Sequence, residues 1–577
     1  MPLYKQGRFI ALALVVLISL MAVWNPAAGL APQARGVDFG VEFSGGTRLS
    51  IGAQTTQATI QTSENNVDAV WSSIHQALST YFEAFLVSMD QGSKQMVVDV
   101  GAAVTKEQIQ SLIGGLGQVL DASSKASQPT LNNMASALTR RLDQYGLLGV
   151  RIKPMGENGV TVDSSFSIPQ NIATTQSRFE MIIDGVTVAS NSNISRIDAP
   201  SVADSFARLP LIFTAGSPEN FNIYVKGREN RPLTAYLDRP VDAVLVVDAA
   251  FISGLTLFTY DENGMFFMET SLRHRVEVTA LKSPKDSMSA AALQFLPANI
   301  GAKFRVILHG SYSDYSDNFR NDIPVGYKVE YLAPLSGETS DQWLMRAAGL
   351  KSIFPITNDI STDGVGSGIV ILVSSTKESS AMDEARLLRA TVVSELPSRA
   401  VLASSSAVAA SFSPDFLTRV AAAYLAAVGV VLLIIHRKYK NSRVDLGFLL
   451  TILCETLIGL GLVSIANISF GFPELLAILL VSATGINRLL MVTEEMLAEI
   501  PKGAKVSVGW RAPKALAMAR VASILAIGVG AVAGALGIEA LRGFVIVAVG
   551  TTIISTLLTR PIFTRVLDIA VSGRSEK

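Results

Sequence analysis

The 577-residue chain has a single cysteine, Cys454, so it can form no internal disulfide and no cysteine-cluster zinc site. Its four histidines, His75, His274, His309 and His436, are too scattered to suggest a histidine metal site or a histidine-based triad. Charged residues make up only 17%, and 48 basic side chains meet 48 acidic ones. That balance argues against a nucleic-acid partner held by bulk positive charge. The sequence contains no P-loop, no HExxH, no nucleophile elbow and no complete GxGxxG. No cofactor, metal or catalytic constellation is therefore expected, and the chain does not read as an enzyme.

What the chain has in quantity is apolar residues, 49% of the total, gathered at its two ends. Phe9–Trp24 is apolar apart from Ser19 and follows Lys5 and Arg8. No small-x-small cleavage site comes after it, so an uncleaved anchor is the preferred reading over a signal peptide. Five further candidate spans lie at about 416–435, 446–465, 473–492, 518–536 and 544–563, each near the ~20 residues that cross a bilayer. Basic residues cluster in alternate segments: Lys5 and Arg8; Arg437, Lys438, Lys440 and Arg443; Lys502, Lys505, Arg511 and Lys514; Arg565, Arg574 and Lys577. The short loops 466–472 and 537–543 carry only Arg542. The positive-inside rule then puts both termini in the cytoplasm and 31–413 outside. The expected organisation is an anchor at 1–30, an extracytoplasmic α+β domain in two halves at 31–204 and 205–413, a five-helix membrane domain at 414–570, and a cytoplasmic tail at 571–577. A multi-pass protein of the cell membrane is expected.

The outer segment alternates strands with amphipathic helices. Val67, Val70, Trp71, Ile74, Leu78, Phe82 and Phe85 keep helical spacing. Thr105 and Gln108 form a capping box before Ile109, Leu112 and Ile113. Leu131, Met134, Leu138 and Leu142 predict a helix that Gly146 ends. Phe179–Ile183 and Val186–Ser190 flank Asp184-Gly185 as a hairpin. Further strands are expected at 96–100, 150–153, 160–162, 243–247, 265–268, 276–281, 304–308, 328–332 and 369–373, with helices near 341–348 and 382–395. Units of this size favour ferredoxin-like α+β modules on a six-span, one-plus-five helical bundle.

Ionisable groups inside the spans are the informative residues. Glu455 lies mid-span, and Asn487 and Arg488 sit in the inner half of the next span. Antiparallel helices rising ~1.5 Å per residue put Glu455 and Arg488 within about one turn in depth. A static ion pair, a titratable coupling pair and an Arg488 that snorkels to the headgroups all satisfy this pattern.

Gly40-Val41-Glu42-Phe43-Ser44-Gly45-Gly46-Thr47 resembles the signature of the SecD/SecF protein-export family. Ala137 to Leu147, including Gly146, is similar to an outer-domain motif of its SecD branch, as are the hairpin around Asp184-Gly185 and Tyr236-Leu237-Asp238-Arg239-Pro240. Leu450–Glu455 and Ala483-Thr484-Gly485-Ile486-Asn487 resemble stretches of the third and fourth spans. The matches occur in family order, and the long outer segment favours the SecD branch. The resemblance implies a half-sized relative of RND transporters that works with SecF and the SecY channel. It would bind exported polypeptide outside, sit among membrane lipid, and draw on an ion gradient, the proton motive force. The family usually has aspartate where this chain has Asn487, which cannot exchange a proton near neutral pH. Coupling through this subunit would then fall to Glu455 or to SecF. An RND-type carrier of small molecules or lipids and an uncoupled scaffold of the Sec complex are the competing readings. A polypeptide-binding surface calls for an apolar groove or an open strand edge, for which Ala243–Phe251 and 265–268 are candidates, though both also read as core. Asn193 and Asn467 begin N-x-S sequons.

Overall fold

The computed structural model describes residues 7–23, 36–497 and 541–572, except 80, 144–145, 185, 204–205, 249–250, 252–253, 256–258, 261–265, 268–276, 282–304, 324–326, 375–377 and 414, together with 524 and 528. Within Gly46–Gln54, Leu49, Ile51 and Ala53 are buried and their neighbours are not, the period of a strand with one covered face. They pack on helix Gln128–Leu142 through Leu131, Met134, Leu138 and Leu142. Ser127 caps that helix through the Thr130 amide. The helix stops at Leu142, and Gly146 follows at φ +66° in the next turn. The antiparallel sheet runs Arg399–Val408, Gly46–Gln54, Gly159–Ser164, Arg151–Met155. Its first two strands are the first and last of the α+β part, so the chain enters and leaves that part side by side.

Residues 56–123 form a strand–helix–strand–strand–helix–strand unit with sheet order Ala84–Asp90, Gln95–Val100, Thr56–Gln61, Gln118–Ser123. Helix Val67–Ser79 ends earlier than the apolar spacing suggests. Phe82 still enters the core, but Phe85 belongs to the next strand, where the helical interval was a coincidence. The Thr105–Gln108 capping box forms. The hairpin Phe179–Ile183/Val186–Ser190 also forms, with Ile183 opposite Val186 and Asp184 at φ +46°; Gly185 lies outside the described residues. Pro232–Leu237 and Leu350–Pro355 complete its sheet.

The strands Glu277–Leu281, Ala243–Asp248, Arg305–His309 and Lys328–Leu332 make an all-parallel sheet in that order, which their apolar runs had not distinguished from antiparallel pairing. From Ala243 to Val247 every residue is at most 2% exposed, as befits a strand covered on both faces. The segment offered as a docking groove is therefore core. Of 265–268 only the two-residue strand Phe266–Phe267 is described.

Buried ions join these units. Asp242 receives both Arg399 Nη atoms at 2.8 Å and faces Arg305 at 3.1 Å. Arg141 donates to the carbonyls of Ile172, Gln176 and Ser394. Arg239 binds Glu180 at 2.7 Å. Among the described residues, four helices are long and apolar enough to cross a membrane: Phe416–Tyr439, Ser442–Ile465, Phe472–Glu495 and Arg542–Leu567. Gly7–Val23 is a shorter apolar helix, and a Cβ on Gly461 would overlap its buried Ser19. Of the expected span at 518–536, only 524 and 528 are described, both helical.

Burial and the nearby Glu83 push Glu395 up from 4.5 to about 9, and burial raises Asp238 in the same direction. A carboxyl whose folded value lies above its unfolded value favours folding at low pH, and that stability is lost as pH rises between the two values. The thermal stability of the full chain is expected to fall between about pH 5 and pH 9, and Glu395→Gln to flatten the slope. An unchanged slope in that variant contradicts the assignment.

Candidate intramembrane site and its joint to the outer domain

Glu455 projects from the middle of Ser442–Ile465 and is 1% exposed. Its Oε1 accepts hydrogen bonds from Ser555 Oγ and, at 3.4 Å, from Thr559 Oγ1. These hydroxyls lie 2.9 Å apart on a π-helical turn, Ser555–Thr559, inside the last helix. Such a turn widens the helix locally and recurs at functional sites. On the other side Glu455 presses against Gly485, where a Cβ would overlap the carboxylate. The cations that act on it are Arg560 and Arg488, 2% and 6% exposed respectively. Glu455, Gly485 and Arg488 thus share one buried cluster. Asn487 is exposed among the described residues, since a step of two residues turns ~200° around a helix from Gly485.

Ser555, Thr559 and Arg560 were not singled out from the sequence. The available signal was Arg560, an ion inside the apolar run 544–563, which calls for a partner in the bundle. A second polar layer lies nearby: Tyr424 Oη meets Thr456 Oγ1 at 2.8 Å, and Thr456 meets Ser482 at 3.4 Å.

The loop between Ser442–Ile465 and Phe472–Leu497 docks into the α+β part. Ser469 N donates to Leu147 O at 2.6 Å, Phe470 N to Asp38 O at 2.7 Å, Gly471 N to Glu474 Oε2 at 2.9 Å and Phe472 N to Glu42 Oε2 at 2.7 Å. In return Gly40 N donates to Phe470 O at 3.0 Å. Glu42 also pairs with Arg151. Phe43 packs among Phe412, Phe416 and Phe470 at ring separations of 5.3–6.0 Å. Asp143 shapes the receiving turn by accepting from the amides of Leu147, Leu148 and Val150. Close approach explains the glycines. A Cβ on Gly40 would lie 3.2 Å from Ser469 Oγ, and one on Gly45, at φ +69°, would lie 2.6 Å from Val408 O. One on Gly46 would overlap Ser164 O. A cavity of about 360 Å³ borders this joint, lined by Glu42, Asp143, Arg151, Ser469 and Glu474 among others.

No family model matches the chain. Among curated proteins it is similar to the protein-export membrane protein SecD of Thermococcus gammatolerans, at 21% identity over 495 residues, covering 80% of this chain and 92% of that one. It is also similar to the protein of the same name from Methanocaldococcus jannaschii, at 27% over 190 residues, which spans 46% of that relative. Among solved structures it resembles a SecDF crystal structure in a super-membrane-facing form, at 12% identity and a TM-score of 0.49, covering 98% of this chain and 57% of that one.

Gly485→Ala is expected to lower the melting temperature in detergent, because its methyl enters the Glu455 carboxylate. Adding Glu455→Ala should recover part of the loss, with a coupling of about 1 kcal/mol or more. Additive effects in that double-mutant cycle would place the two residues apart.

Proposed function

We infer that this chain is a SecD/SecF-type membrane protein, an accessory subunit of protein export. The observation that carries this is a likeness running through most of both chains to a curated SecD, with the family's motifs in order on a chain that has apolar helices before and after a large α+β part. The finer reading has six spans, both termini in the cytoplasm, and 31–413 outside the cell membrane as ferredoxin-like and related modules. The strand and helix order of 56–123 supports the ferredoxin-like part. SecF, channel subunits and exported polypeptide are the partners in this reading, and the protein is not an enzyme.

Glu455 is the group through which an ion gradient would act. Ionised, it accepts from Ser555 and Thr559 and is balanced by Arg488 and Arg560. Protonated, it becomes a donor and no longer offsets either cation. The loss would strain the π-turn of the last helix and the Glu455–Gly485 contact together. The neighbouring loop, held by the outer sheets, would carry the shift outward. Asn487 takes no part in proton exchange. Two fixed cations beside one carboxylate also suit a static lock, the reading of an uncoupled scaffold.

Gentle purification of the full chain is expected to bring SecF and channel subunits with it, whereas efflux or lipid-transport partners would overturn the reading. In cells, Glu455→Gln is expected to abolish the part of export that depends on the ion gradient. Export that keeps its full gradient dependence in that variant would leave the scaffold.

A further inference from the structure

We propose that the outward edge of the strand Arg399–Val408 is a docking line for an extended segment of unfolded polypeptide, recognised through its backbone. The proposal rests on the export reading and locates its polypeptide contact. Among the described residues this strand ends its sheet and pairs with Gly46–Gln54 alone. Ala400 and Leu402 pack toward the core beside helix Gln170–Thr174. From Ala403 to Ala407 every residue is exposed. A strand edge in that state offers a row of N–H and C=O groups, with its pattern repeating every two residues, about 7 Å. The chemistry that satisfies such a row is another extended backbone.

Edges of this kind are normally guarded by charge, proline, a bulge or a short length, and of these Arg399–Val408 has only a single register shift, at Ala403. The opposite edge of the same sheet, Arg151–Met155, carries Arg151, Lys153 and Pro154. The edge Leu350–Pro355 of another sheet carries Lys351 and Pro355. Arg399–Val408 has ten residues and, beyond Arg399, neither charge nor proline. Its inner end is fixed, because Asp242 clamps the Arg399 guanidinium and the Arg399 amide donates to Gly101 O. A strand already paired along its other side loses little freedom when a second strand joins it.

Side chains decide which extended partner fits. A stable contact between two copies of the chain needs about 800 Å² per partner around an apolar centre. The exposed strip offers alanine and serine, and its large exposed apolar residue, Val401, lies near one end. Small side chains on both faces leave no pocket to select a sequence. That suits a partner whose sequence changes with each exported protein. The strand also ends eight residues before helix Phe416–Tyr439, which keeps the edge close to the membrane helices.

The test uses the purified full chain carrying a photo-crosslinking phenylalanine at Ser404 or Ser406, with a reduced and alkylated, permanently unfolded protein as probe. The probe is expected to crosslink at both positions. The guarded variant Ser404→Lys/Ser406→Lys, whose side chains are solvent-exposed, should keep its melting temperature and bind the probe on the order of tenfold more weakly. Probe retained equally by the guarded variant and crosslinked elsewhere overturns the edge and leaves the export reading standing. Adducts between two copies at these positions, or no probe binding by a chain that still co-purifies with export partners, also overturn it. Failure of co-purification itself bears on the export reading instead.

Discussion

Four consecutive amides, from Ser469 to Phe472, are hydrogen-bonded where the apolar helices meet the α+β part. Three of them donate outside their own loop and helix, to Leu147 O, Asp38 O and Glu42 Oε2. A buried amide left without a partner costs about 1–3 kcal/mol, which favours the seated loop at the buried Ser469 and Phe470. The close fit explains why Gly40 and Gly149 stand where a Cβ would press on Ser469. It also explains Asp143, whose carboxylate shapes the turn that presents Leu147 O.

This seat places the intramembrane cluster one loop away from the α+β part. The seated loop joins the helix that bears Glu455 to the helix that bears Gly485 and Arg488. The last helix closes the cluster with its π-turn and Arg560. The proposed change of charge at Glu455 would act on helices whose shared loop is held in the α+β part by hydrogen bonds. The aromatic packing of Phe43 on Phe412 and Phe416 adds a second link, through the start of Phe416–Tyr439.

Much of this was legible in the residues. Long apolar runs, the Thr105 capping box, the Asp184 turn and most of the strands announce themselves because each depends on neighbours in sequence. Glu455 and Arg488 stood out because ions are rare in apolar helices. The parallel sheet did not show, since a buried strand reads alike in either pairing. The seat of the 466–472 loop was hidden as well, because the partners Asp38, Glu42 and Leu147 lie more than 300 residues away. Ser555 and Thr559 looked like ordinary small polar residues in a span, and only the π-turn gives them a role. The strand Arg399–Val408 escaped notice for a related reason: its alanines and serines show no alternation, and only Ala400 and Leu402 pack toward the core.

Hydrogen exchange across residues 466–472 of the full chain tests the seat most directly. Protection of the Ser469, Phe470 and Phe472 amides that matches the sheets of the α+β part, and that is lost in Glu42→Ala at Phe472 first, is the predicted result. Exchange of all these amides at the rate of an open surface loop would contradict it, and with it the coupling of the two halves.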